Sequence, residues 1–238
     1  MITKKDTKKF PSSPDKNEII LSNYITPVKF EENIFDDSPN TKRLTFYNIQ
    51  LIEKQFPKGL FDKLINLEVM TIQSINLIGI QENMFDNLQN LKRLILIFND
   101  DLIALPEKIF SKLSNLETLY LTDNGLITLP EGIFNLPKLS KLQLDGNKLK
   151  SIRRMLFNNL PVLKLLSLRS NLIVDIDKNS FDNLINLKEL DIGYNKILSL
   201  PEDIFINLPN LESLKLHGNE LTALPSSVFK LQKLKTLI

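Results

Sequence analysis

The chain has 238 residues and 27.4 kDa, with 30 basic against 28 acidic side chains and a formal charge of +2. So small a net charge sets up no broad field to steer nucleic acid or an anionic membrane. The absence of cysteine excludes disulfides, thiolate zinc sites and cysteine nucleophiles, and the longest apolar run, Leu94–Phe98, is too short to cross a bilayer.

Residues 1–16 carry Lys4, Lys5, Lys8, Lys9 and the string Pro11-Ser12-Ser13-Pro14, with no apolar stretch behind the lysines. They predict a disordered tail and no secretory signal peptide. Residues 17–40 read as a degenerate N-terminal capping repeat. Ile20, Ile25, Phe30 and Phe35 keep the spacing of a coil, while Ser38 and Thr41 stand where leucines are expected.

From residue 41 onward the chain repeats itself. Phe35, Phe61, Phe85, Phe110, Phe134, Phe157, Phe181, Phe205 and Phe229 recur every 23 to 26 residues. Asn99, Asn124, Asn147, Asn171, Asn195 and Asn219 recur every 23 to 25. One unit reads Leu187-x-x-Leu190-x-Ile192-x-x-Asn195-x-Ile197-x-x-Leu200-Pro201, then Phe205 and Leu208. This frame resembles the leucine-rich repeat family in its phenylalanine-containing form of about 24 residues per coil. The resemblance implies an α/β solenoid, a right-handed horseshoe. A parallel sheet would line its concave face, with irregular, 3-10 or short helical segments on the convex side. Residues 41–238 would hold eight full repeats and the start of a ninth.

The residues support the same picture. Leu-x-Leu alternation is the period of a half-buried strand, and strands so far apart in sequence stack in parallel. Counting the first leucine as position one, Asn falls at position nine. There its amide is expected to satisfy backbone groups in a buried turn, so that replacement by Leu would leave them unpaired. Ile49 and Ile75 occupy that position in the first two units, whose turns need another solution. Extra residues lie between Leu51 and Phe56 and at Asp100-Asp101. At the other end Leu234, Leu237 and Ile238 begin a coil that stops inside its strand. The expectation there is truncation, or an open edge that pairs with a second copy or a partner.

Positions three, five and seven of each unit should look out from the concave sheet. The candidate partner-binding residues are Tyr47, Val69, Arg93, Ile95, Ile97, Phe98 and Tyr120 in the first half. In the second half they are Lys141, Asp145, Leu165, Arg169, Asp191 and His217. The first half is apolar and aromatic, as a binding hot spot requires, and the second is charged. The alternative for Ile97 and Phe98 is that they fold into the bulge beside Asp100 and close the core.

Chemical motifs are sparse. His217 is the sole imidazole and has no sequence partner for a triad. Asp175-x-Asp177-x-Asn179 begins like a calcium loop, but Ser180 replaces the required glycine. Lys148, Lys150, Arg153 and Arg154 read as a solvated basic rim. The expectation is a non-catalytic protein-interaction module with no cofactor, no metal and no nucleic-acid partner.

Richness in Lys, Asn and Ile, together with the missing cysteines, resembles the compact leucine-rich effectors that intracellular bacteria deliver into host cells. That likeness implies a host protein partner and passage from the bacterial to the host cytoplasm without a signal peptide. A cytosolic scaffold for a small GTPase or a phosphatase is the alternative. A ligand-binding or hydrolytic protein using rim carboxylates is the alternative from another class.

Overall fold

The computed structural model describes Ile2 and residues 17–238. The expected tail lies outside the described residues except for Ile2, which does not behave as part of a disordered segment. It is buried, bridges Phe30 in parallel, and donates its N–H to the Lys29 carbonyl at 2.7 Å.

Each coil contributes one short strand to a single parallel sheet. In spatial order these are β1 (Glu18–Ser22), β2 (Arg43–Tyr47), β3 (Val69–Gln73), β4 (Arg93–Ile97), β5 (Thr118–Tyr120), β6 (Lys141–Gln143), β8 (Leu165–Ser167), β10 (Glu189–Asp191), β11 (Ser213–Lys215) and β12 (Thr236–Leu237). The short strands β7 (Ser151–Ile152) and β9 (Asp175–Ile176) pair with each other outside this sheet. The register keeps equivalent residues abreast: Leu44, Met70, Leu94, Leu119, Leu142, Leu166, Leu190 and Leu214 face one another in turn. Burial alternates as the Leu-x-Leu period requires. In β4, for instance, Leu94 and Leu96 are buried while Arg93, Ile95 and Ile97 are not. The rest of each coil is turns and extended chain. The one regular helix among the described residues is a 3-10 turn at Ser226–Lys230.

The position-nine asparagines hold successive coils together. Asn147 accepts the Leu126 N–H at Oδ1 (3.2 Å) and donates Nδ2 to the carbonyls of Leu121 (2.8 Å) and Leu144 (2.9 Å). Asn171 and Asn195 repeat the arrangement. Where Ile49 and Ile75 replace Asn, the solution comes from the neighbouring coil. Asn99 takes the Ile75 N–H at 3.1 Å, and Asn76, one place further on, takes the Leu51 N–H at 2.8 Å.

On the outer arc Phe110, Phe134, Phe157, Phe181 and Phe205 form a stacked column with ring centroids 6.2–6.4 Å apart. Toward the N-terminus Phe30, Phe46, Phe56 and Phe61 pack edge-on or tilted instead, filling the space around the longer first unit. The series ends early. Phe229 has its expected spacing but is 79% exposed, because the 3-10 turn carries Val228 and Ser227 inward instead.

The capping repeat also differs from the reading of its spacing. Pairing of β1 with β2 sets Ile19 opposite Leu44 and Leu21 opposite Phe46, so Ile19 and Leu21 face the core and Ile20 does not. Ile25 is 100% exposed, and Val28, which bridges Leu51, is buried in its stead. A one-residue slip moves every side chain of a strand to the other face.

Candidate functional site

All the candidate residues lie on the concave strands or at their ends. Val69, Arg93, Ile95, Ile97, Tyr120, Lys141, Leu165 and Asp191 stand on β3, β4, β5, β6, β8 and β10, with side chains half-buried or exposed. Tyr47 closes β2 and is exposed. Asp145, Arg169 and His217 stand two residues beyond β6, β8 and β11. The sheet thus sets on one face residues that are more than a hundred positions apart in sequence.

Position eight of each coil is a column of left-handed backbone, where the chain leaves the strand. It runs Asn23, Asn48, Ser74, Phe98, Asp123, Gly146, Ser170, Tyr194 and Gly218. Glycine and asparagine suit that conformation, whereas an aromatic side chain costs about 1–2 kcal/mol there. Phe98 (φ 56°) and Tyr194 (φ 53°) adopt it nonetheless and remain 48% and 49% exposed. Phe98 therefore does not close the core around the bulge; it projects beside Ile97 from the end of β4. The bulge itself is accommodated by Gly125, where any Cβ would collide with the Asp100 carbonyl.

The second half of the face is organised by charge. Arg169 lays its guanidinium over the Tyr194 ring, 4.3 Å from the centroid, and donates from Nη1 to His217 Nε2 at 3.2 Å. A guanidinium only donates, so the His217 proton sits on Nδ1, which is buried and has no partner among the described residues. Tyr194 meets the His217 ring edge-on at 4.8 Å. Gly193 leaves room for that ring, since a Cβ there would lie 3.0 Å from His217 Cε1. Lys215 pairs with Asp191 at 3.5 Å.

Asp145 accepts the Arg169 N–H at 3.0 Å and the Gln143 amide at 3.3 Å. Burial nevertheless holds its carboxyl above the usual aspartate range, against the lowering effect of hydrogen bonds from Ser167 and Arg169. Asp123 is raised too, by burial and then by the charge of Asp100. Two depressions open on the face. One of about 250 Å³ lies over Ser167, Asp191 and Lys215. The other, of about 330 Å³, lies between Ile97, Tyr120 and Asp145.

Two columns along the rim were not read from the sequence. Asn66, Asn90, Asn115, Asn186 and Asn210, each just before a position-one leucine, donate their amides to carbonyls of the preceding coil at 2.8–3.0 Å. One residue after that leucine, Lys42–Glu68–Lys92 and Lys188–Glu212–Lys235 form ion-pair columns. The recurring Asn-Leu dipeptide was the available signal.

The other motifs are engaged internally. Arg153 pairs with Asp177 at 3.2 Å and Asp175 at 3.7 Å, so those carboxylates are tied to the basic rim. Among the described residues no three histidine or carboxylate side chains gather in a metal-binding arrangement, and no helix is long and apolar enough to cross a membrane.

The leucine rich repeat family model matches residues 89–149, 137–197 and 185–238. A model for the BspA type leucine rich repeat region, of six copies, matches residues 6–96. No curated protein sequence matches the chain. Among solved structures, TLR13 in a complex with ssRNA13 superposes with a TM-score of 0.86 at 26% identity, over 93% of this chain and 32% of that one. A leucine-rich repeat protein of Leptospira interrogans gives 0.76 at 30% identity, over 91% of this chain and 53% of its own. The Drosophila Toll–Spatzle complex gives 0.71 at 22% identity, over 85% and 31%, a likeness of fold alone. The chain thus spans about a third of the TLR13 chain and about half of the Leptospira protein.

Proposed function

The chain belongs to the leucine-rich repeat family, and from that membership we propose that it is a non-catalytic module whose concave sheet docks a partner protein. One observation carries the proposal: Ile95, Ile97, Phe98 and Tyr120 stand together on an uncovered sheet face, with Phe98 held there against its backbone preference. Exposed aliphatic and aromatic side chains on neighbouring strands are the material of an interface hot spot. The strands offer a strip about 40 Å long, so the rim loops would contribute to an interface of ordinary size.

The proposed setting is a bacterial effector acting on a host protein. The cysteine-free, Lys-, Asn- and Ile-rich composition and the likeness to the Leptospira protein support it. The RNA of the TLR13 complex is not carried over, because acidic and basic side chains alternate on this face, as in Asp145, Arg169, Asp191 and Lys215.

Affinity capture from host-cell lysate tests the main reading, comparing the wild type with the double variant Ile95→Asp, Tyr120→Ala. Both residues face out of the sheet, so melting should be nearly unchanged and the captured protein lost. Capture that survives the double substitution would remove the concave face from the function.

A further inference from the structure

The two chemistries of the concave face meet in one place. At the ends of β4, β5 and β6, the 330 Å³ depression is lined both by Ile97, Tyr120 and Thr122 and by Asp123, Gln143 and Asp145. We propose that the partner docks here through an extended segment that sets an apolar side chain on Ile97 and Phe98 and, two residues along, a basic side chain against Asp145 and Asp123. The inference rests on the protein-binding reading above and names the chemistry of the partner.

Charge is the first argument. Asp123 and Asp145 lie on adjacent coils, joined by a hydrogen bond from the Asp123 N–H to the Asp145 carbonyl at 2.8 Å. Among the described residues neither carboxylate has a cation within ion-pairing distance, whereas Asp191, one coil beyond Arg169, has Lys215. The donors on Asp145 are a backbone N–H and neutral side chains, which orient the carboxylate without cancelling its charge. Arg169, whose own N–H touches Asp145, sends its guanidinium the other way, onto Tyr194 and His217. The face therefore presents uncompensated negative charge beside apolar surface, and burial has already stripped part of its water.

Spacing is the second argument. Ile97 ends β4 and Asp145 lies two residues beyond β6, two strands away, about 10 Å at the usual interstrand distance. In an extended segment, side chains on the same side recur about every 7 Å, and the long stem of arginine or lysine covers the rest while lying on Tyr120. Lys141, whose Nζ sits 5.0 Å from the Tyr120 centroid, places a cation beside a residue lining the depression and should oppose an incoming one.

A phage-displayed library of random dodecapeptides, selected on the immobilised chain, tests this. The enriched peptides should carry Arg or Lys within about three residues of Leu, Ile, Met or Phe. As synthetic peptides they should bind about tenfold more weakly to Asp145→Asn and severalfold more tightly to Lys141→Gln, with neither variant melting more than a few degrees below wild type. Peptides that lose affinity on Ile95→Asp but ignore Asp145→Asn and Lys141→Gln would overturn the basic-residue inference and leave the docking face standing. Peptides indifferent to Ile95→Asp would remove the docking face and the inference with it. Acidic enriched peptides would overturn the charge argument, as would single-stranded oligoribonucleotide bound more tightly by Asp145→Asn.

Discussion

Asn147 reaches across to the preceding coil, its Nδ2 2.8 Å from the Leu121 carbonyl, while its Oδ1 takes the Leu126 N–H. One side chain thereby closes a turn and ties it to its neighbour. Asn147→Leu is expected to leave the buried Leu126 N–H unpaired, at about 1–3 kcal/mol, while the Leu121 and Leu144 carbonyls keep the Asn124 and Asn171 amides. Urea unfolding measures the loss. A variant as stable as wild type would mean that the turn rearranges to pair its own backbone.

The phenylalanine column allows an internal contrast. Phe157 is stacked between Phe134 and Phe181, with centroids 6.2 Å away on both sides. Phe157→Ala should cost about 3–5 kcal/mol, since it removes a buried ring and leaves a cavity between two others. Phe229→Ala, at the same position of the last full coil, should change stability by less than about 0.5 kcal/mol because the ring is solvated. Equal losses at the two sites would place Phe229 in the core after all.

Phe98→Asn removes an aromatic ring from left-handed backbone and substitutes the residue that Asn48 already supplies in that column. Relief of strain should stabilise the fold by up to about 1 kcal/mol, offset in part by the lost half-buried ring surface. Partner capture should weaken at the same time. A higher melting temperature with unimpaired capture would show that Phe98 has no part in docking.

Asp145 makes stability depend on pH in a direction opposite to that of most aspartates. Its folded pKa stands above the ordinary 3.8, so the fold binds the proton more tightly than the unfolded chain does. The ionised carboxylate therefore costs stability above the folded pKa, and that cost disappears as pH falls below the ordinary value. Asp145→Asn keeps an acceptor for the Arg169 N–H. It should melt above wild type near neutral pH, with the difference closing as pH falls through the raised pKa to below the ordinary 3.8. A difference that widens on acidification would reverse the assignment. Glu212 has the other sign: hydrogen bonds from Lys235 and Lys188 pull it down to about 2, and its contribution is lost as pH falls from the ordinary 4.5 toward that value.

What was legible in the sequence follows from repetition. The coil period, the parallel strands and the inward and outward faces from Leu44 to Leu216 are written many times over, and a period-two alternation repeated in eight coils leaves no freedom in register. The concave positions of Ile95, Tyr120, Asp145 and Arg169 follow from the same count. Where the pattern occurs once, it failed. β1 has no leucine frame to choose between Ile19 and Ile20, so its pairing with β2 decides, and Phe229 keeps its spacing but the 3-10 turn buries Val228 in its place.

Only the tertiary structure could show that Asn76 stands in for the asparagine missing at Ile75, or that Phe98 and Tyr194 are held in left-handed backbone. The same holds for Arg169, which leaves Asp145 uncompensated by turning to Tyr194 and His217. The physical reason is common to all three. The chain's own periodicity sets which way a residue faces, whereas the partner it finds there belongs to another coil, about two dozen residues away, and depends on side-chain geometry that spacing does not encode.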